Sequence, residues 1–360
     1  MFQRWAKGIH WPLVYSIIGL SVMGVLFTYS ASYHDPSQYE LKQVLWAGGG
    51  LIFLFVIPFL SYRSFLSVSL LLYVVFMVLL VWVLFAGDIR LGAQRWIRVG
   101  SLVLQPSEFA KLATVLALAH FLGSVNPWEQ NNRSLLLAIA LVLLPCFLIM
   151  KQPDLGTALL FLPMAVVVLF LWGIRYRYII FAFIAGLISI PLAWQTLEGY
   201  QKKRILVFLN PSLDPLGAGY TALQSRIAVG AGGFWGKGFL HGTQSQLKFV
   251  PEHHTDFIFC VIGEEWGFLG ALLVLLLYGI LFRSIFQVIS HTTDIKAKLL
   301  AAGIAAILFA QVFINIGMSI GLMPITGLTL PLISYGGSSF LATSIALGLI
   351  LSIHKERSIF

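Results

Sequence analysis

The sequence predicts an all-α polytopic membrane protein, with about ten transmembrane helices, a long extracytoplasmic loop over 196–256 and a broken or re-entrant segment near 319–337. Three observations carry this. Of 360 residues, 59% are hydrophobic and only 10% charged, with mean hydropathy +0.90, so polar side chains cannot cover the apolar surface and lipid must be the solvent. Apolar runs of about twenty residues, the length that spans a bilayer, recur along the chain. Between them lie polar stretches rich in Pro, Gly and charge, which a membrane tolerates only where protein or water satisfies the backbone. The number of apolar runs excludes a soluble protein with an oversized core, and the chain reads as a single transmembrane domain, 1–360, built around one site.

The spans are expected over 11–31, 42–60, 65–86, 106–122, 134–150, 155–173, 177–195, 257–282, 298–318 and 338–354. At a rise of about 1.5 Å per residue each can cross a hydrocarbon core of about 30 Å. The first follows Arg4 and Lys7 and is too long for the apolar region of a cleaved signal peptide, so it reads as a retained anchor. If the spans alternate, Arg4, Lys7, Arg63, Arg133, Arg175, Arg177, Arg283, Lys296, Lys298, Lys355 and Arg357 share one side. The positive-inside rule makes that side, with both termini, cytoplasmic. The other side receives an acidic first loop (Asp35, Glu40), segment 87–105, the KQPDLG turn, loop 196–256 and segment 319–337.

Basic residues on that outer side break the rule: Arg90, Arg95 and Arg98 in the short segment, and Lys202, Lys203, Arg204, Arg226, Lys237 and Lys248 in the long loop. Beside a bilayer they suit a phosphate or pyrophosphate, which Arg binds bidentately and Lys as a point charge, although long loops also translocate whatever their charge. The net charge of +9 is spread over both faces, with no basic, aromatic-interleaved module, so anionic lipid rather than nucleic acid is the expected partner. Cys146 and Cys260 are too few and too far apart for a disulfide framework or thiolate metal site. No Walker loop is present, and the run VGAGGFWGKGFLHG at 229–242 lacks its lysine-serine ending; its glycines permit tight turns and close backbone approach.

Four places carry chemistry. In LQPSEFAKLA, Glu108 and Lys111 fall three residues apart on one helix face and can pair; such a pair is worth too little on a surface to account for two charges in a membrane helix, so it is expected to line a polar cavity, with a purely structural pairing as the alternative. In MKQPDLGT, Lys151 and Asp154 flank Pro153 at a helix break, as a capped turn or a cavity wall. Segment 315–339, with Pro324, Pro331, Gly327, Gly336 and Gly337, cannot run as an unbroken helix and is expected to line a cavity or re-enter. Asp256 stands at the mouth of the next apolar helix, where a charge marks a functional site.

These residues resemble a known family. Asn315, Gly321, Pro324, Gly327 and Leu328 through Ser334, Tyr335, Gly336, Gly337, Ser338 and Ser339 resemble the signature of the shape, elongation, division and sporulation (SEDS) proteins. GAQRW at 92–96, QPSEFAK at 105–111, QPDLGT at 152–157, DPLGAGY at 214–220 and PEHHTDFIF at 251–259 are similar to its other motifs in the same order. The resemblance covers essentially the whole chain, and HGTQSQLKF before the last motif is closer to the rod-elongation branch than to the division branch.

The resemblance implies a peptidoglycan glycosyltransferase of the bacterial cytoplasmic membrane that polymerises lipid II on the outer face beside a class B penicillin-binding protein and other rod-complex proteins. Asp256 would be the general base on the acceptor GlcNAc 4-hydroxyl, in a single inverting displacement that expels undecaprenyl pyrophosphate. His253 and His254 have better intrinsic pKa values for that work, and Glu264 and Glu265, about two turns deeper, are further candidates. Arg95, Lys111 and Arg204, backed by Arg226 and Lys237, are expected to stabilise the leaving group, with Trp96, Glu108, Asp154, His254, Glu264 and Ser334 completing the substrate contacts. A divalent cation, Mg2+ or Mn2+, suits a pyrophosphate, yet no ligand cluster has diagnostic spacing. A lipid II flippase, suggested by the polar cavity and broken helix, and a non-catalytic scaffold for the transpeptidase are the rival readings.

Overall fold

The computed structural model of the protein describes residues 9–33, 38–90, 93–100, 102–125 and 132–357. Arg4, Lys7, Asp35 and Gly92 lie outside these residues. The helices are α1 (Trp11–Ser32), α2 (Tyr39–Val56), α3 (Tyr62–Ser67), α4 (Ser69–Ala86), α5 (Pro106–Ser124), α6 (Asn132–Lys151), α7 (Leu155–Leu159), α8 (Phe161–Trp172), α9 (Tyr176–Thr196), α10 (Gly199–Leu209), α11 (Ala218–Ala231), α12 (Thr243–Gln246), α13 (Ile258–His291), α14 (Ile295–Ser319) and α15 (Gly337–Arg357). Local chemistry sets their ends. Pro106 opens α5, Asp154 and Asp294 accept from the backbone N–H groups of Thr157 and Lys296 as N-caps, and Gly173 closes α8 in the left-handed region.

A helix forms in each of the ten predicted spans, and among the described residues eight helical stretches are long and apolar enough to cross a membrane. The other two are α9 and α5, the latter with its apolarity lowered by Glu108 and Lys111. Burial sorts the bundle: 67% of the apolar window of α14 and 78% of that of α15 are inside, against 28% for α4 and 22% for α6. The first two form the centre and the last two face lipid.

Three features add detail to the sequence expectations. Segment 87–105 forms a small antiparallel sheet of β1 (Asp88–Arg90), β2 (Ala93–Val99) and β3 (Leu102–Leu104) in the order β1-β2-β3, with Asp88 opposite Trp96 and Arg98 opposite Val103. Loop 196–256 contains α10, α11 and α12. Helix α13 runs on to His291 rather than ending near 282, and its 34 residues make roughly 51 Å at helical rise, more than a bilayer core needs.

That length is divided at Gly267, where φ 60° and ψ −151° leave the helical region. In an unbroken helix Phe268 N and Leu269 N would donate to Glu264 O and Glu265 O. Instead they donate to Gly233 O (2.9 Å) and Phe234 O (3.4 Å), while Lys237 N (3.0 Å) and Gly238 N (2.9 Å) donate to the two freed carbonyls. The glycine-dense run thus docks on the break and satisfies all four groups. A Cβ on Gly236 would lie 2.1 Å from Glu265 O, so the approach requires glycine.

Candidate active site

The polar segments gather at one end of the bundle, around Asp256. Its backbone N–H donates to Glu252 O (3.1 Å), and the carboxylate is half-buried in the turn just before α13. Burial and nearby Glu252 push its pKa up to about 6, against the downward pull of Arg204. Gly327 lies against it, since a Cβ there would be 3.5 Å from Asp256 Oδ2. The result is a carboxylate more basic than a free aspartate and still mostly ionised at neutral pH.

Arg204, on α10, is the cation whose charge acts on Asp256. Its guanidinium donates to Thr326 O (3.2 Å) and sits over the Tyr200 ring at 5.9 Å. Burial holds its pKa below the ordinary value and Arg95 adds to that push, while Tyr200, Asp256 and Asp154 oppose it. Arg95, Asp154, Arg204 and Asp256 therefore form one electrostatic group. Arg95, however, is committed: it donates to Gln152 O (3.1 Å) and Pro153 O and pairs with Asp154 Oδ1 at 3.7 Å. Asp154 also accepts from Gln105 Nε2 (3.2 Å), Thr157 N (3.1 Å) and Thr157 Oγ1 (2.9 Å). These two hold the 151–157 turn more than they offer free valences.

Arg226, on α11, donates to Gly321 O at 3.4 Å, and its Nε is buried without an acceptor among the described residues. With Arg204 it lines a cavity of about 10 Å³ bounded by Phe208, Met318 and Met323, room for about one water. Other outer basic residues have acidic partners within the protein: Arg98 meets Asp88 at 3.1 Å and Lys203 meets Asp214 at 3.0 Å. The excess of positive charge seen in the sequence is thus partly internal bookkeeping, and Arg204 with Arg226 stands out.

Lys237 and Glu264 come together with each other. Lys237 Nζ lies 2.8 Å from Glu264 Oε1, and Glu264 further accepts from Gln244 N (2.9 Å), Ser245 N (3.1 Å), Ser245 Oγ (3.1 Å) and Thr243 Oγ1 (3.2 Å). Glu265 accepts from Ser30 Oγ at 2.5 Å. Both carboxylates are fully buried and clamp the 237–246 loop to α13. Ser334 Oγ donates to Thr255 O (2.5 Å) and accepts from Leu330 N (2.7 Å). The His254 ring stacks on Tyr39 at 4.4 Å beside Tyr335, and Trp96 is half-buried on β2.

Deeper in the bundle, Lys111 Nζ pairs with Glu108 Oε1 at 3.0 Å and donates to Gln311 Oε1 at 3.3 Å; Gln311 in turn donates to Thr329 O at 2.9 Å. The pair lines a cavity of about 30 Å³, which admits a water or two and no sugar. In this conformation it braces segment 325–336 through Gln311. Removing one partner of a buried ion pair costs about 3–5 kcal/mol. Lys111→Met should therefore lower the thermal midpoint in detergent sharply, and adding Glu108→Gln should restore most of it. A single variant that melts like the wild type would show that the pair does not brace the bundle.

Sequence reasoning passed over Gln311 and gave no individual role to Gln105, Thr157, Asn315 and Thr326, although these four lie in the quoted motifs and segment. A signal existed for two of them: Gln311 and Asn315 are amides one turn apart in an otherwise apolar helix, which places both on one inward face. Among the described residues no group of three or more His, Cys, Asp or Glu is arranged to hold a metal ion.

The profile of the FtsW/RodA/SpoVE cell cycle protein family matches residues 11–359. Peptidoglycan glycosyltransferase MrdB of Escherichia coli is 40% identical over 343 residues, covering 95% of this chain and 92% of that protein. Peptidoglycan glycosyltransferase RodA of Treponema pallidum is 34% identical, covering 98% and 99%. Among solved structures, a chain from a peptidoglycan synthase complex that coordinates polymerization and crosslinking superimposes with TM-score 0.84 at 35% identity, covering 97% of this chain and 98% of that one. The rod shape determining protein RodA of Thermus thermophilus gives 0.73 at 32% identity, covering 97% of each. With agreement along nearly its full length, the protein is a multi-pass membrane protein that belongs to the FtsW/RodA/SpoVE family.

Proposed function

We propose that the protein is a peptidoglycan glycosyltransferase of the bacterial inner membrane that polymerises lipid II during cell elongation, alongside a class B penicillin-binding protein and other rod-complex proteins. The observation that carries the chemistry is Asp256, a half-buried carboxyl with its pKa near 6, in the electrostatic reach of Arg204. A base must be deprotonated at working pH and yet strong enough to take a proton, and this environment moves aspartate toward that compromise.

In the proposed step Asp256 accepts the proton of the acceptor GlcNAc 4-hydroxyl as that oxygen attacks the anomeric carbon of the growing strand. The bond from that carbon to undecaprenyl pyrophosphate breaks on the opposite face, so configuration inverts without a covalent sugar–enzyme intermediate. Arg204 and Arg226 are assigned to the departing pyrophosphate, since both keep N–H donors that no acceptor among the described residues takes up. His254 is assigned to the sugar. Arg95 and Asp154 act by shaping the adjacent turn. A divalent ion would arrive as counter-ion of the pyrophosphate, because the described residues provide no cage for it.

This reading requires the Asp256 end of the bundle to be outside and both termini cytoplasmic, as the charge of the short inner loops indicates. Cysteines introduced one at a time by Ser212→Cys and Thr292→Cys, in a background lacking Cys146 and Cys260, report the sides. A membrane-impermeant thiol reagent should label the first in intact cells and the second only after the membrane is opened. The reverse pattern would place Asp256 where extracytoplasmic polymerisation cannot use it.

A further inference from the structure

Three consecutive carbonyls leading into α13 are taken up by the segment that starts on α14 and ends at α15. His254 O accepts from Tyr335 N (3.0 Å), Thr255 O from Ser334 Oγ (2.5 Å) and Asp256 O from Asn315 Nδ2 (2.8 Å). Each bonding side chain is itself anchored. Asn315 Nδ2 also donates to Leu328 O (2.6 Å), and Ser334 Oγ accepts from Leu330 N (2.7 Å). Asn315 is fully buried and Ser334 is 4% exposed, and the polar groups named here are spent on backbone carbonyls and N–H groups of the protein.

The consequence for Asp256 is mechanical. Its N–H is fixed on Glu252 O and its C=O on Asn315, so the main chain on both sides of its Cα is held. Only its side-chain torsions remain, and these occupy a few staggered wells. The stacked His254 and Tyr39 rings, with Tyr335 at 4.9 Å from Tyr39, stiffen the same turn. A general base works only within hydrogen-bond reach of its proton, and errors of about 1 Å can cost about a hundredfold in rate.

We infer that Asn315 and Ser334 are positioning residues for Asp256, holding the backbone that aims its carboxylate at the acceptor hydroxyl. The inference rests on the general-base reading given above. It differs from a purely structural role for the two side chains in what should happen to the carboxylate once the clamp is loosened. A freed turn admits water to Asp256, and its titration then moves down toward that of an ordinary aspartate.

The test uses the full-length protein with its transpeptidase partner in nanodiscs, supplied with lipid II. For Asn315→Leu and Ser334→Ala, kcat should fall by about tenfold to a hundredfold while KM for lipid II is unchanged. The acid limb of the kcat/KM–pH profile, which reports the free enzyme, should also move from near pH 6 toward about 4. Ser334→Ala removes a single hydroxyl and decides the matter alone if Asn315→Leu does not fold. Folded variants with wild-type kcat and an unmoved limb would overturn the inference, as would a loss of rate with the limb still in place. An active Asp256→Asn control would remove the base reading itself, and the positioning role with it.

Discussion

Asp256→Asn is expected to abolish glycan polymerisation, with a loss of about 10²–10⁴-fold, while the protein still inserts, folds and binds its partner. The amide keeps the shape of the side chain and loses its capacity to accept the acceptor proton. Stability should move the other way. Because the folded-state pKa is raised to about 6, the favourable contribution of the protonated carboxyl is complete below its ordinary value near 4 and is lost as pH rises through 6. At pH 7.5 the wild type therefore carries an ionised, half-buried carboxylate that the asparagine variant lacks. The variant should melt no lower than the wild type there, and any advantage should vanish by about pH 4. An inactive variant that also melts far lower at neutral pH would mean that Asp256 serves the fold rather than the reaction.

Gly267→Ala is expected to have the largest effect on folding. At φ 60° and ψ −151° the backbone lies where essentially only glycine is found. A Cβ would stand 2.4 Å from Gly236 N and 2.8 Å from Phe234 O, and these are backbone atoms with no rotamer to swing aside. Strain and overlap together should cost more than about 3 kcal/mol, because relief requires undocking the 233–238 run and exposing four backbone groups. The readout is the yield of monodisperse protein and its thermal midpoint in detergent. A variant with wild-type yield and midpoint would contradict the account of the helix break.

Much of the architecture was legible because lipid simplifies the problem. A span announces itself by apolar length alone, so a helix in each of the ten spans could be anticipated, whereas the short α10, α11 and α12 of the long loop could not. The sheet at 88–104 could not, since its strands of three to seven residues are defined by pairing with one another. The division of α13 was hidden for a related reason: Gly267 is one glycine among many until the 233–238 run is seen to bond across it. At the site, Asp256 was visible as a charge at a membrane boundary. The partnership of Lys237 with Glu264 was not, because a contact between residues 27 apart depends on how the loop folds back. Asn315 was quoted as part of the family signature but given no role of its own, although an amide in an apolar helix was itself a clue to one.

The central claim is that this chain polymerises lipid II with Asp256 as the base. It is tested most directly by giving purified wild-type and Asp256→Asn proteins lipid II, with and without the class B penicillin-binding protein, and resolving the products by length. The account predicts long glycan strands from the wild type, with activity falling as pH drops through about 6, and none from the variant. Strands of normal length and yield from Asp256→Asn would contradict the base, and movement of lipid II across vesicles without any polymer from the wild type would contradict the enzyme.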